Sequence, residues 1–320
     1  MRPRRFFVAT LAALALIGPV VASETLGQEQ YTPSPLPCFG ALSRSLVTPC
    51  QNPALRLTVI PTPQQALLSP APPCLESEAR GVLLVCHFGA PRDQAPVQFA
   101  LVGDSHAWHW TGAAEIMAHD RYWYGYALTR ASCPFTLATI TLASATLMGQ
   151  CSAWHLAVLR WFQQHPQVSI VLVSEHAQAA VVPARGEPER ETIEDGYIDA
   201  WHSLPRTVRH IVVIRDVPQN SYLSISCVES ALARHLPAET RCALSRSSAL
   251  TTDPAVLAAE RMHSPRVSVV DLTHYFCSAT QCFTVIGGAL VYRDIGHLTD
   301  QFSASMGTFL MRAVERATGQ

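Results

Sequence analysis

The sequence predicts an α/β fold, a parallel sheet with helices on both faces, braced by disulfides. Three observations carry that reading. Continuous apolar runs alternate with helical stretches, each run stops abruptly at small or polar residues, and ten cysteines fall into neighbouring couples. The chain has 320 residues, 48% of them hydrophobic and 15% charged, enough for one medium core with an appended subdomain.

The opening stretch "MRPRRFFVATLAALALIGPVVASETLGQEQ" is set apart from the fold. Arg2, Arg4 and Arg5 precede an apolar run from Phe6 to Ile17, then Gly18-Pro19 and the small residues before a cut after Ala22. This is the layout of a secretory signal peptide over residues 1–22, with an uncleaved N-terminal anchor as the alternative. The run is shorter than the roughly 20 residues a spanning helix needs, and Gly-Pro interrupts it. A secreted or extracytoplasmic location is therefore expected. Residues 23–96 are rich in proline and cysteine ("YTPSPLPCFG", "LSPAPPCLESEAR") and read as an extended leader tied to the domain by disulfides.

The folded domain is expected over residues 97–320. "VQFALV" (97–102) is the signature of a strand buried on both faces. "VSIVLVSEH" (168–176), "RHIVVIRDVP" (209–218) and "RVSVVDLTHYF" (266–276) repeat it. Between them "AWHWTGAAEIMAHD", "CSAWHLAVLRWFQQHP" and "DPAVLAAERMHS" read as helices, and "PARGEPERETIED" (183–195) as a solvated loop or lid. The chain closes on an amphipathic helix with Phe302, Met306, Phe309, Leu310 and Val314 on one side. In such sheets functional groups collect at the carboxyl edge of the strands.

Short loops give the simplest cysteine pairing: Cys38–Cys50, Cys74–Cys86, Cys133–Cys151, Cys227–Cys242 and Cys277–Cys282. No C-x2-C pair occurs, so no metal site is expected. The net charge of −1 gives no electrostatic case for nucleic acid. All 23 basic residues are arginine, which removes lysine Schiff-base or general-base chemistry.

Chemistry concentrates at "FALVGDSHAWHW" (99–110), where Ser105 stands on the turn between a buried strand and a helix. A serine becomes nucleophilic only when a base takes its proton and a third group orients that base. "YRDIGHLTDQFSASMG" (292–307) offers Asp294 and His297, three residues apart before the last helix. The plainer reading makes Ser105 and Asp294 helix caps and His297 a packing residue. The G-x-S-x-G elbow of α/β-hydrolases is absent. His106, Glu175 and His176 lie near the same edge as possible pocket residues, Asp271 is a rival carboxylate, and Trp108, Trp110, Tyr292 and Arg293 read mainly as structural.

"GDSHA" (103–107) and "YRDIGHLT" (292–299) together resemble the SGNH (GDSL-like) esterase and acyltransferase superfamily. More narrowly, with "ASCPF" (131–135), Cys151 and "DLTHYFCSATQC" (271–282), the chain resembles the extracytoplasmic SGNH domain at the C-terminus of acyltransferase family 3 membrane proteins. The resemblance covers roughly residues 74–315. It implies a three-layer, flavodoxin-like fold and no cofactor. It makes Ser105 the nucleophile, His297 the base and Asp294 its orienting acid. Asp104 becomes a structural residue of the turn, and the Ser105 N–H part of an oxyanion hole. The superfamily's Gly-x-Asn-Asp block is replaced here by "SEHAQ" (174–178), leaving a backbone N–H near Ser132 as a second donor. The family's multi-helix membrane domain is also missing, so the expected partners are an extracytoplasmic glycan acceptor and a separate membrane acyltransferase as acyl donor. The expected function is O-acyl, chiefly O-acetyl, transfer to a cell-surface or cell-wall polysaccharide. The alternatives are a secreted carbohydrate esterase on the same residues and a non-catalytic glycan-binding module on the same scaffold.

Overall fold

A computed structural model describes residues 36–48, 50–68 and 82–320, all within one compact unit. Its centre is a six-stranded sheet. The strands are β1 (Cys86–Gly89), β2 (Gln98–Gly103), β3 (Tyr124–Thr129), β4 (Val168–Ser174), β5 (His210–Ile214) and β6 (Val267–Val270), in spatial order β1-β3-β2-β4-β5-β6. β2 pairs in parallel with β3 and β4, β4 with β5, and β5 with β6, while β1 adds an antiparallel edge to β3. Side-chain alternation divides the core. Phe99, Leu101, Ile170, Leu172, Val212 and Ile214 face one apolar layer. Ala100, Val102, Val171, Val173, Ile211 and Val213 face the other. The helices Thr111–Arg121 and Gly307–Thr318 cover the first face, and Ala145–Gln164, Glu189–His202 and Pro254–Met262 the second. This is the α/β, three-layer arrangement expected from the apolar runs.

Four of the expected disulfides are present: Cys38–Cys50, Cys133–Cys151, Cys227–Cys242 and Cys277–Cys282. The signal peptide over 1–22 and Cys74 of the Cys74–Cys86 pair lie outside the described residues. The leader differs from the expectation in two respects. Its last part joins the sheet as β1, because "VLLVCHFG" (82–89) carries no proline and supplies the apolar Phe88 to the core. Its earlier part is folded as well as tied down, with short helices at Gly40–Arg44, Pro53–Leu57 and Pro63–Leu68 and with Phe39, Ala41 and Leu55 in the core.

Two helices differ from the sequence reading. Residues 183–195 are loop only in part, since a helix starts at Glu189 and buries Thr192, Ile193, Tyr197, Ala200 and Trp201. That stripe recurs at helical spacing behind a charged first turn, where Glu189 and Glu191 suit the positive helix end. The closing helix is broken at Met306 into Asp300–Ser305 and Gly307–Thr318. Gly307 sits so close to Ile116 that a Cβ there would overlap it at 2.5 Å. The Ala113 N–H donates to Ser303 Oγ at 3.3 Å, tying the helix Thr111–Arg121 to the C-terminal pair.

Candidate active site

β2 ends at Gly103 with φ +147°, a conformation that disfavours any side chain, and a Cβ there would collide with the Ser174 carbonyl. The chain turns at once into the short helix Ser105–Trp108, capped by Asp104. Asp104 is 1% exposed, and its two oxygens hold two loops. Oδ1 accepts from the His106 N–H at 2.8 Å and Oδ2 from the His176 N–H at 3.0 Å. These bonds tie the serine turn to the loop after β4. Ser105 itself is half-buried at the crevice between β2 and β4, the point where the strand order reverses.

The Asp-x-x-His loop comes back to this turn. His297 Nε2 lies 2.8 Å from Ser105 Oγ, and His297 Nδ1 lies 2.8 Å from Asp294 Oδ2 and 3.0 Å from Oδ1. An ionised carboxylate only accepts, so Nδ1 carries the proton and Nε2 accepts from the serine hydroxyl. Asp294 Oδ1 also takes the Gly296 and His297 N–H groups at 2.9 and 2.8 Å. Burial would push the Asp294 carboxyl up, but the His297 ring and these N–H groups outweigh it and hold it at about 2. The loop is pinned from outside by Asn220, whose N–H donates to the Ile295 carbonyl at 3.0 Å and whose side-chain amide donates to the Asp294 carbonyl at 3.3 Å. Asp271, the rival carboxylate, is instead paired with Arg215 at 3.0 Å and caps Thr273.

Three expected pocket residues take different places. Glu175 does not line an open surface. It is 2% exposed beneath the serine turn, where Oε2 accepts from the Asp104 N–H at 3.2 Å and Oε1 from the Phe135 N–H at 2.9 Å. The reason is local: two buried N–H groups from two loops converge there and need an acceptor. Burial and the nearby Asp104 push its carboxyl well above the usual range. Glu175→Gln is expected to leave one of those N–H groups facing an amide donor and to cost about 1–3 kcal/mol of stability in urea unfolding. His106 is also internal, 4% exposed, whereas His176 is half-buried with its ring 4.5 Å from that of His106. Ser132 is exposed in the left-handed region at φ 55°, in a loop whose Arg130 N–H donates to the Gly103 carbonyl at 3.1 Å.

Sequence reasoning missed Asp216. It follows β5 at the same carboxyl edge, is 7% exposed, and lies 2.6 Å from His106 Nδ1 through Oδ1. The signal was an acid directly after an apolar strand in "HIVVIRD", the pattern that singled out Ser105. Cys133, Cys151 and His155 cluster with metal-ligand spacing among the described residues, yet the two sulfurs are joined to each other, leaving no thiolate to ligate.

Arg293 lies over the Trp108 ring at 5.8 Å, beside the loop that carries Asp294 and His297. Both side chains are half-buried.

Among curated proteins none matches this sequence. A solved structure described as a Salmonella ser. Paratyphi A lipopolysaccharide acetyltransferase periplasmic domain superposes with a TM-score of 0.50 at 14% identity, covering 70% of this chain and 84% of that one. At that identity the likeness is one of fold. The family described as the SGNH domain (fused to AT3 domains) matches residues 73–312, and so takes in β1, the serine turn and the Asp-x-x-His loop. Over most of its length, then, this chain is a member of the SGNH domain family.

Proposed function

We propose that this protein is an exported serine-dependent O-acyltransferase, acting through an acyl-serine on a hydroxyl of an extracytoplasmic glycan. The observation that carries the reading is the unbroken chain Ser105 Oγ–His297 Nε2, His297 Nδ1–Asp294 Oδ2, with both contacts at 2.8 Å. Membership of the SGNH family supports acyl transfer or ester hydrolysis as the chemistry. The acetyltransferase neighbour favours acetyl as the group and the periplasm as the compartment, and the disulfides agree with export.

In this mechanism Ser105 Oγ attacks the acyl carbonyl while its proton passes to His297 Nε2. Asp294 stabilises the imidazolium. The Ser105 N–H, at the first helical position where no intrahelical acceptor exists, faces the developing oxyanion. Collapse expels the donor's oxygen or sulfur with the proton from His297. The acceptor hydroxyl then gives its proton to His297, attacks the acyl-serine, and leaves as the ester with Ser105 restored. Water in place of the sugar makes the same site an esterase, and the outcome rests on which acceptor the site admits. The acyl donor in this reading is a separate membrane acyltransferase.

Labelling of the oxidised protein with a fluorophosphonate is expected to place one adduct on Ser105, and none in Ser105→Ala. Acetyl release from p-nitrophenyl acetate, with and without oligosaccharides, then separates transfer from hydrolysis through the acetylated sugar product. A folded protein that takes no label and releases no acetate would make the chain a glycan-binding module.

A further inference from the structure

The serine turn carries a second carboxylate–imidazole pair directly behind the first. His106, the residue after Ser105, is 4% exposed and meets Asp216 Oδ1 at 2.6 Å through Nδ1. Asp216 is itself over-determined. Its Oδ2 accepts from the Ala177 N–H at 2.9 Å, its Oδ1 from the Val217 N–H at 2.7 Å, and its own N–H donates to Asp253 Oδ2 at 2.8 Å. The ring of His106 is therefore fixed from the β5 side. Its other edge faces the Asp-x-x-His loop, where a Cβ on Gly296 would lie 3.3 Å from Nε2 and 3.5 Å from Cε1. Its centroid is 5.2 Å from that of His297.

We propose that Asp216 and His106 are a positioning pair for the reacting groups, a rigid stop behind Gly296 that sets how closely His297 approaches Ser105. The inference rests on the acyl-transfer reading of Ser105 and His297 given above. A buried ion pair is no stability gain in itself, since apolar residues of the same volume often serve as well. Its place between the nucleophile turn and the base loop gives it a use. Gly296 has no left-handed backbone requirement, so the missing side chain there answers to the space left by His106.

The pair also sets charge. His106 is faced by Asp216 from β5, by Asp104 and His109 from its own segment, by His176 from β4, and by Asp294 and His297 from the loop. Burial would lower its pKa, but the charge and hydrogen bond of Asp216, with Asp104 and Asp294 behind them, raise it to about 9.

The test uses the oxidised full chain, with His ring titrations followed by NMR and p-nitrophenyl acetate turnover followed against pH. Gly296→Ala is expected to lower kcat/KM roughly ten- to a hundredfold, because pinned His106 cannot yield and the loop must. In a His106→Ala background the same change is expected to cost less than twofold, the non-additivity that direct contact produces. His106→Asn and Asp216→Asn are expected to lower kcat several-fold with KM little changed, with near-UV circular dichroism as the check on folding. Additive effects of Gly296→Ala and His106→Ala, or an unchanged kcat in folded His106→Asn, would overturn the proposal. A wild type inert towards the ester would sink the acyl-transfer reading alone, because the His106 ring titration still shows whether Gly296→Ala presses on His106.

Discussion

His297→Ala is expected to lower turnover of p-nitrophenyl acetate by roughly a millionfold, to the level left by the oxyanion donors alone. His297 Nε2 is the group within reach of the Ser105 hydroxyl, at 2.8 Å, so without it the serine keeps its proton. Ser105→Ala should fall to the same level, and the double variant no further, because the two act as one unit. Asp294→Asn is expected to fall less, by roughly ten-thousandfold. Asp294 accepts three N–H groups, from Gly296, from His297 and from the His297 ring. An asparagine amide can accept with one atom only, so the ring is driven toward the wrong tautomer while the loop keeps most of its shape. Asp294 is held at about 2 and stays ionised across the working range, so its own protonation does not limit the rate there. Turnover above one per cent in His297→Ala would move the base to another ring and defeat the assignment.

The sheet was legible because burial on both faces writes itself as continuous apolar runs, as in Phe99–Val102 and Ile170–Val173. The serine turn and the Asp-x-x-His loop were legible because short-range bonds fix them: Asp104 caps its own turn, and Asp294 binds residues two and three positions on. What the sequence concealed is long-range. Glu175 looked like a pocket residue, since nothing local announces that the Asp104 and Phe135 N–H groups will converge on it. Asp216 looked like the end of a strand, because its partner His106 is 110 positions away in the sequence and only the fold brings the two together. β1 escaped notice because a strand of four residues after a proline-rich leader has too little length to show a period.

Stability is expected to fall as pH rises from 6.5 to 9. The groups that decide this are buried behind Ser105. Asp253, 4% exposed, is pushed up to about 6 by burial and by Asp216, against the N–H groups that favour its charge. An acid whose folded pKa is raised stabilises fully below its unfolded value, near 4, and loses that as pH rises through 6. His106 is raised from 6.5 to about 9 by Asp216, so its contribution is complete below 6.5 and lost as pH rises through 9. The two windows adjoin and carry the same sign. Each shift exceeds two pH units and corresponds to about 3 kcal/mol, together a large share of an ordinary domain's stability. Asp294 runs the other way: its depressed pKa stabilises above 3.8 and is lost as pH falls toward 2. So does His155, lowered by burial to about 4, whose contribution is complete above 6.5 and offsets that of Asp253 as pH falls through 4. Thermal unfolding of the oxidised protein should therefore show Tm falling by roughly 6–12 °C between pH 6.5 and pH 9.5, the window of His106. His106→Asn should flatten the upper window and Asp253→Asn the lower one. A Tm that is level from pH 6.5 to 9.5 in the wild type would mean that His106 is neutral in the folded protein, and that Asp216 holds it as a hydrogen-bond partner without a cation between them.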